Sequence, residues 1–294
     1  MSEATKATSE ATKATSEAPR TASEATKTPN PLCLNLFQYS PYAGTTSVPS
    51  LDDLLVASAD AGFDLVGLDM YSLDLLEVSP GTVARSLQRH GLRCFEMLGL
   101  SVDGDEEASL AMARAVARWV GEAHAEWVLT VVSAPVDDEL IDRFGRCADL
   151  VAAEGGRLAL EFLPFLPVSS IASARAVCDA VGAARARVLI DSWHVFRGTD
   201  ALADVAATPV DAIGYIQFDD ALPVAGALHD EVMTRRIWPG KGEFDVGAFA
   251  EAVKATGYRG PISVELLNES WRLNGLRPAE FARRAMQTSR PYWA

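Results

Sequence analysis

Between residues 31 and 290, short apolar runs that fit buried strands alternate with longer amphipathic stretches that fit helices, and the cycle repeats eight times. Strand patterns fall at 33–37, 65–70, 93–98, 127–132, 158–162, 188–191, 212–218 and 262–266. A helix pattern opens at Ser50, and others fall at 79–90, 106–123, 137–153, about 169–181, 201–207, 246–256 and 278–288. Asp52 and Asp53 sit in a first turn, where the helix dipole favours anions. Gly91, Gly155 and Gly257 stand just past helix ends, where a left-handed residue closes the last turn. Such alternation implies a parallel sheet, and eight units in roughly 260 residues match a closed barrel. An open doubly wound sheet competes, but no GxGxxG follows the first strand. The expected fold is therefore an α/β (β/α)8 TIM barrel over 31–294.

Residues 2–28 read differently: SEATKAT, SEATKAT, SEAPRTA, SEATKT. The period of seven brings no apolar seam beyond alanine, and Pro19 interrupts it, so residues 1–30 are expected to form a disordered low-complexity tail. The tail's four glutamates are balanced by Lys6, Lys13, Arg20 and Lys27, so the net charge of -14 belongs to the barrel. That acidity argues against nucleic acid or an anionic membrane as partner. No apolar run approaches the length of a membrane span, and no secretory h-region opens the chain. Cys33, Cys94, Cys147 and Cys178 are scattered without CxxC pairing and read as reduced thiols of a cytoplasmic protein.

In a barrel, chemistry sits at the C-terminal strand ends. Four consecutive strands end their apolar runs in a side-chain oxygen: Leu160-Glu161, Ile190-Asp191, Ile216-Gln217 and Val264-Glu265. Any one of them reads equally well as a helix cap. Four at matching barrel positions converge on one point, and three carboxylates brought together repel unless a cation joins them. The metal ligands expected are Glu161, Asp191, Gln217 and Glu265 around one divalent ion. An all-oxygen set favours Mg²⁺ or Mn²⁺, with Co²⁺ or Zn²⁺ as further options. The remaining negative charge suits a neutral polyol or hydroxycarbonyl substrate.

These strand ends, with the Asp191-Ser192-Trp193-His194 turn, Arg197, and Arg236 ahead of Trp238-Pro239-Gly240-Lys241-Gly242, resemble the xylose isomerase-like superfamily, and within it the sugar phosphate isomerase/epimerase group. The likeness spans residues 31–290. Gln217 stands where that group commonly has His, although some members, including dehydratases of 3-dehydroshikimate, use Gln there. The resemblance implies proton removal beside a carbonyl through a metal-stabilised enediolate, with Glu161 and Glu265 as acid and base. Proton return makes an isomerase or epimerase; loss of a β-hydroxyl makes a lyase. His194 is expected to bond a substrate oxygen, and Arg236, Arg197, Trp193 and Glu231 to contact substrate, with 222–242 as a lid. Gln38, Tyr39, Tyr71 and Glu96 are rim candidates without a motif. Barrels of this group often pair, so a homodimer is expected. An endonuclease of the same fold would need more histidines and a basic face. A non-catalytic binding barrel is the remaining competitor, and it would show no turnover for a glutamate substitution to remove.

Overall fold

A computed structural model describes residues 29–294 apart from Thr46 and Pro80; the part of the expected tail through residue 28 lies outside the described residues. Eight parallel strands close into one barrel: Leu32–Asn35, Leu65–Asp69, Arg93–Val102, Trp127–Val132, Arg157–Glu161, Ala186–Asp191, Ile213–Phe218 and Ile262–Val264. The first strand pairs with both the second and the eighth, so Cys33 lies opposite Leu65 on one side and Ser263 on the other.

Side-chain caps set the helix starts. Ser50, Asp105, Asp137 and Ser170 each accept the backbone N–H three residues on, at 2.8–3.2 Å. They open helices Leu51–Asp60, Glu106–Ala123, Asp138–Ala153 and Ile171–Val181. Gly91 closes its helix with φ of +68°, as its place after 79–90 suggests. Several expected boundaries shift, three of them with a clear local cause. The first strand stops at Asn35, whose Oδ1 accepts from Phe37 N–H at 2.9 Å and turns the chain into a 3-10 helix. The third strand runs on to Val102, because Leu100 and Val102 continue the buried pattern. A short helix, Met70–Leu75, follows the second strand in a stretch without helical periodicity, started by the Asp69 cap.

Two apolar layers result. Leu158, Leu160, Val188, Ile190 and Ile216 pack outward with the helices, while Ala159, Leu189 and Tyr215 fill the barrel with Phe95 and Trp127. Side chains alternate along a strand, so each inner position predicts the next. Ala159 is followed inward by Glu161, Leu189 by Asp191 and Tyr215 by Gln217. Ile262 and Val264 pack outward, which turns Ser263 and Glu265 inward. The period of two thus delivers the polar strand ends to the barrel axis. No helix among the described residues is long and apolar enough to cross a membrane.

Candidate active site

The four strand-end residues meet above the inner apolar layer, all buried. Asp191 does two jobs. Its Oδ1 caps helix Ser192–Arg197 by accepting from Trp193 N–H at 2.6 Å, and its Oδ2 faces Arg236 Nη1 at 2.6 Å. The same guanidinium donates to Asp219 and brings Nη2 to 3.3 Å from Glu265 Oε2. Gln217 Nε2 donates to Glu265 Oε1 at 3.2 Å. On the other side, His194 Nε2 lies 3.0 Å from Glu161 Oε1 and 3.8 Å from Asp191 Oδ2.

Asp191, Asp219 and Glu265 therefore share a single buried guanidinium, with Glu161 close by on the His194 side. Burial alone raises a carboxyl, yet the Arg236 charge and nearby His194 hold Asp191 below the usual carboxylate range. Asp219 goes the other way, pushed well above its usual value by burial and by the charge of Asp191, against the pull of Arg236. Glu265 is raised too, by burial and by the charges of Glu161 and Asp191, with Arg236 offsetting only part. One guanidinium does not balance this set, and a further cation would relieve it.

The residues fit a divalent ion. Single ligand atoms of Glu161, Asp191 and His194 lie within 4.8 Å of one another. Gln217 Oε1 is buried without a hydrogen-bond partner, a costly state for an amide oxygen and a natural one for a ligand. His194 Nδ1 is likewise buried and unpartnered. Beside this group a cavity of about 530 Å³ opens, with Glu161, His194, Arg236 and Glu265 among its lining residues.

A model of the xylose isomerase-like TIM barrel matches residues 55–292. The chain belongs to this family. A 3-dehydroshikimate dehydratase of Pseudomonas aeruginosa is 28% identical over 244 residues, which make up 76% of this chain and 37% of that protein. An inosose isomerase of Halalkalibacterium halodurans is 25% identical over 145 residues, 48% of this chain and 50% of that one. The chain thus spans about half or less of the length of the curated relatives it matches. A solved IOLI protein with a bound zinc atom shares the fold, with a TM-score of 0.75 at 20% identity, covering 89% of this chain and 97% of the other.

Within this xylose isomerase-like barrel, not every expected site residue reaches the cavity. Glu161 and Glu265 line it, and Asp191 and Gln217 sit behind them, fully buried. His194 enters the ligand group itself, beside Glu161 and Asp191, although an all-oxygen set was expected. Arg236 lines the cavity but is only 1% exposed, held by carboxylates, rather than extended from a loop. Three expected substrate contacts do not line this cavity. Arg197 turns away to Glu243, at 2.6 Å, and to the Leu222 carbonyl at 2.9 Å. Trp193 is fully buried under the Arg236 guanidinium. Glu231 accepts the Ala225 and Gly226 N–H groups and fastens the loop that carries it. That loop is tied down rather than free. Asp220, just past the seventh strand, accepts Gly240, Gly242 and Phe244 N–H at 2.7–3.0 Å. A Cβ on Gly242 would come within 2.2 Å of the Ala221 carbonyl, so only glycine fits there.

Sequence reasoning passed over Asn35, Asp219 and Asp220, and left Glu96 on the rim. Asn35 Nδ2 bridges Glu265 Oε1 and Glu96 Oε1, each at 3.1 Å, deep in the barrel. Burial raises the Glu96 carboxyl, and hydrogen bonds from Ser263 and Asn35 offset only part of it. Gly67, opposite Glu96 in the second strand, leaves room for that side chain. The signal for Asn35 was present: Leu32-Cys33-Leu34-Asn35 also ends an apolar run in a polar residue.

Proposed function

We propose that the chain is a divalent-metal-dependent enzyme that removes a proton beside the carbonyl of a small hydroxyketone, acting as an isomerase or epimerase. The observation that carries this reading is the meeting of Glu161, Asp191, His194, Gln217 and Glu265 beside one cavity, with a buried amide oxygen left unpartnered. Glu161, Asp191, Gln217 and Glu265 would hold the ion, Mg²⁺ or Mn²⁺ by the hardness of their oxygens, with His194 next to them. A bound dication supplies a Lewis acid that stabilises the negative charge left as the C–H proton departs. Glu161 takes that proton; His194, bonded to it at 3.0 Å, fixes its orientation toward the cavity. Glu265 returns a proton from another side of the cavity, and Asn35 and Gln217 hold its Oε1 in place. General acid–base help of this kind is worth roughly 10²–10⁴-fold.

One observation favours a second outcome, loss of a β-hydroxyl. The dehydratase relative matches 76% of this chain, against 48% for the isomerase. Both relatives are named for hydroxylated ring ketones, so one assay serves both readings. The Mn²⁺-loaded chain is incubated in D₂O with inosose and with 3-dehydroshikimate. Deuterium entering beside the carbonyl supports enolisation, and a new ultraviolet chromophore marks elimination. No exchange and no chromophore with either ketone, or full activity after chelator treatment, overturns the proposal.

A further inference from the structure

The cavity has two unlike faces. Its acidic and basic side chains, His229 apart, are Glu161, His194, Arg236 and Glu265. Much of the remaining lining is aromatic: Phe37 and Tyr42 stack at 5.7 Å, and Tyr42 and Tyr71 at 4.7 Å. Phe165, Met233 and Leu267 continue that apolar surface. Resting on the isomerase or epimerase form of the enolisation reading above, and against 3-dehydroshikimate with its carboxylate, we infer that the substrate is an uncharged hydroxyketone bearing an apolar, ring-sized substituent.

Three observations support it. First, a hydroxyl pointed at the aromatic wall would lose its hydration without gaining a partner, whereas an apolar substituent would not. Second, about 530 Å³ falls within the roughly 300–1,000 Å³ of pockets that take drug-sized ligands, which leaves room for a ring beside the reacting ketone. Third, no arginine or lysine free of a partner lines the cavity among the described residues. Arg236 is shared by Asp191, Asp219 and Glu265, His194 is bonded to Glu161, and His229 at the mouth leans on Asp230 at 3.3 Å. With the bound ion engaged by the ketone and its hydroxyl, a phosphate or carboxylate elsewhere on the substrate would find no arginine or lysine free to pair it among the described residues. The aromatic wall instead offers stacking to a flat apolar group.

Three matched probes test this by calorimetry on the Mn²⁺-loaded full chain: inosose, its O-benzyl ether and its monophosphate. The benzyl ether should bind at least about tenfold tighter than inosose, since an aromatic ring then leaves water. The monophosphate should bind more weakly than either. Phe37→Ala and Tyr71→Ala should each shrink the ratio of benzyl-ether affinity to inosose affinity. Equal affinity for inosose and its ether, or tightest binding of the monophosphate, overturns the inference. A benzyl preference without deuterium exchange would instead remove the enolisation reading and leave the two-faced pocket standing.

Discussion

Asp69 and Asp191 look alike from the chain. Each ends a barrel strand, each is buried, and each caps a short helix. Their surroundings differ. Asp69 accepts from Ser40 Oγ at 2.8 Å and from Ser72 N–H and Oγ at 2.8 and 2.7 Å, all neutral donors. Burial outweighs those bonds and raises its carboxyl. Asp191 spends one oxygen on its cap and turns the other to the Arg236 charge, which holds its carboxyl low despite burial. One local grammar therefore serves a closed structural cap in the first half of the barrel and an open ionic cluster in the second. Capping and chemistry are not rival explanations of Asp191; the two oxygens divide them.

The largest effect that should separate the halves is kinetic. Glu161→Gln is expected to slow deuterium exchange into the substrate by roughly 10²–10⁴-fold, while Asp69→Asn leaves that rate essentially unchanged. Comparable losses in both would dissolve the distinction. Next comes stability in urea. Asp191→Ala leaves a buried guanidinium short of one partner and should lower unfolding free energy by about 3–5 kcal/mol. Asp69→Ala removes neutral bonds and a cap, for about 0.5–2 kcal/mol.

Acid sharpens the contrast because the two shifts have opposite signs. The lowered carboxyl of Asp191 adds stability that is present above its unfolded value near 3.9 and lost as pH falls through the folded value. The raised carboxyl of Asp69 adds stability below the unfolded value that is lost as pH rises through the folded one. Urea midpoints followed from pH 7 to pH 3 should therefore fall less steeply for Asp191→Asn than for the unaltered chain. They should fall more steeply for Asp69→Asn. The smallest effect belongs to the supporting shell. Asn35→Ala removes one donor to Glu265 and should lower the exchange rate by up to about tenfold, the worth of roughly 0.5–1.5 kcal/mol. Its ligand affinity should hold if Asn35 only positions Glu265.

Much of this was legible along the chain. The helix starts at Ser50, Asp105 and Asp137 are local hydrogen bonds, and Asp and Ser announce them. Glu161, Asp191, Gln217 and Glu265 stood out because each breaks an apolar run at a barrel strand end. Arg197 and Glu231 misled, since a charged residue near a motif has no address until its neighbours are known. Arg197 met Glu243, and Glu231 met the backbone of its own loop. Asn35 carried the same signal as the four strand-end residues but lay at the far end of the sequence from Glu265, its partner.

The order of strands and helices, the closed barrel and the inward turn of four polar strand ends follow from periodicity, because alternation and capping act over a few residues. Which oxygen of Asp191 faces a charge, the seat of Arg236 among three carboxylates, the entry of His194 into the ligand group and the aromatic wall were decided only by tertiary structure. Those contacts join residues far apart in the chain, and their strength depends on burial and charge that exist only once the barrel has closed.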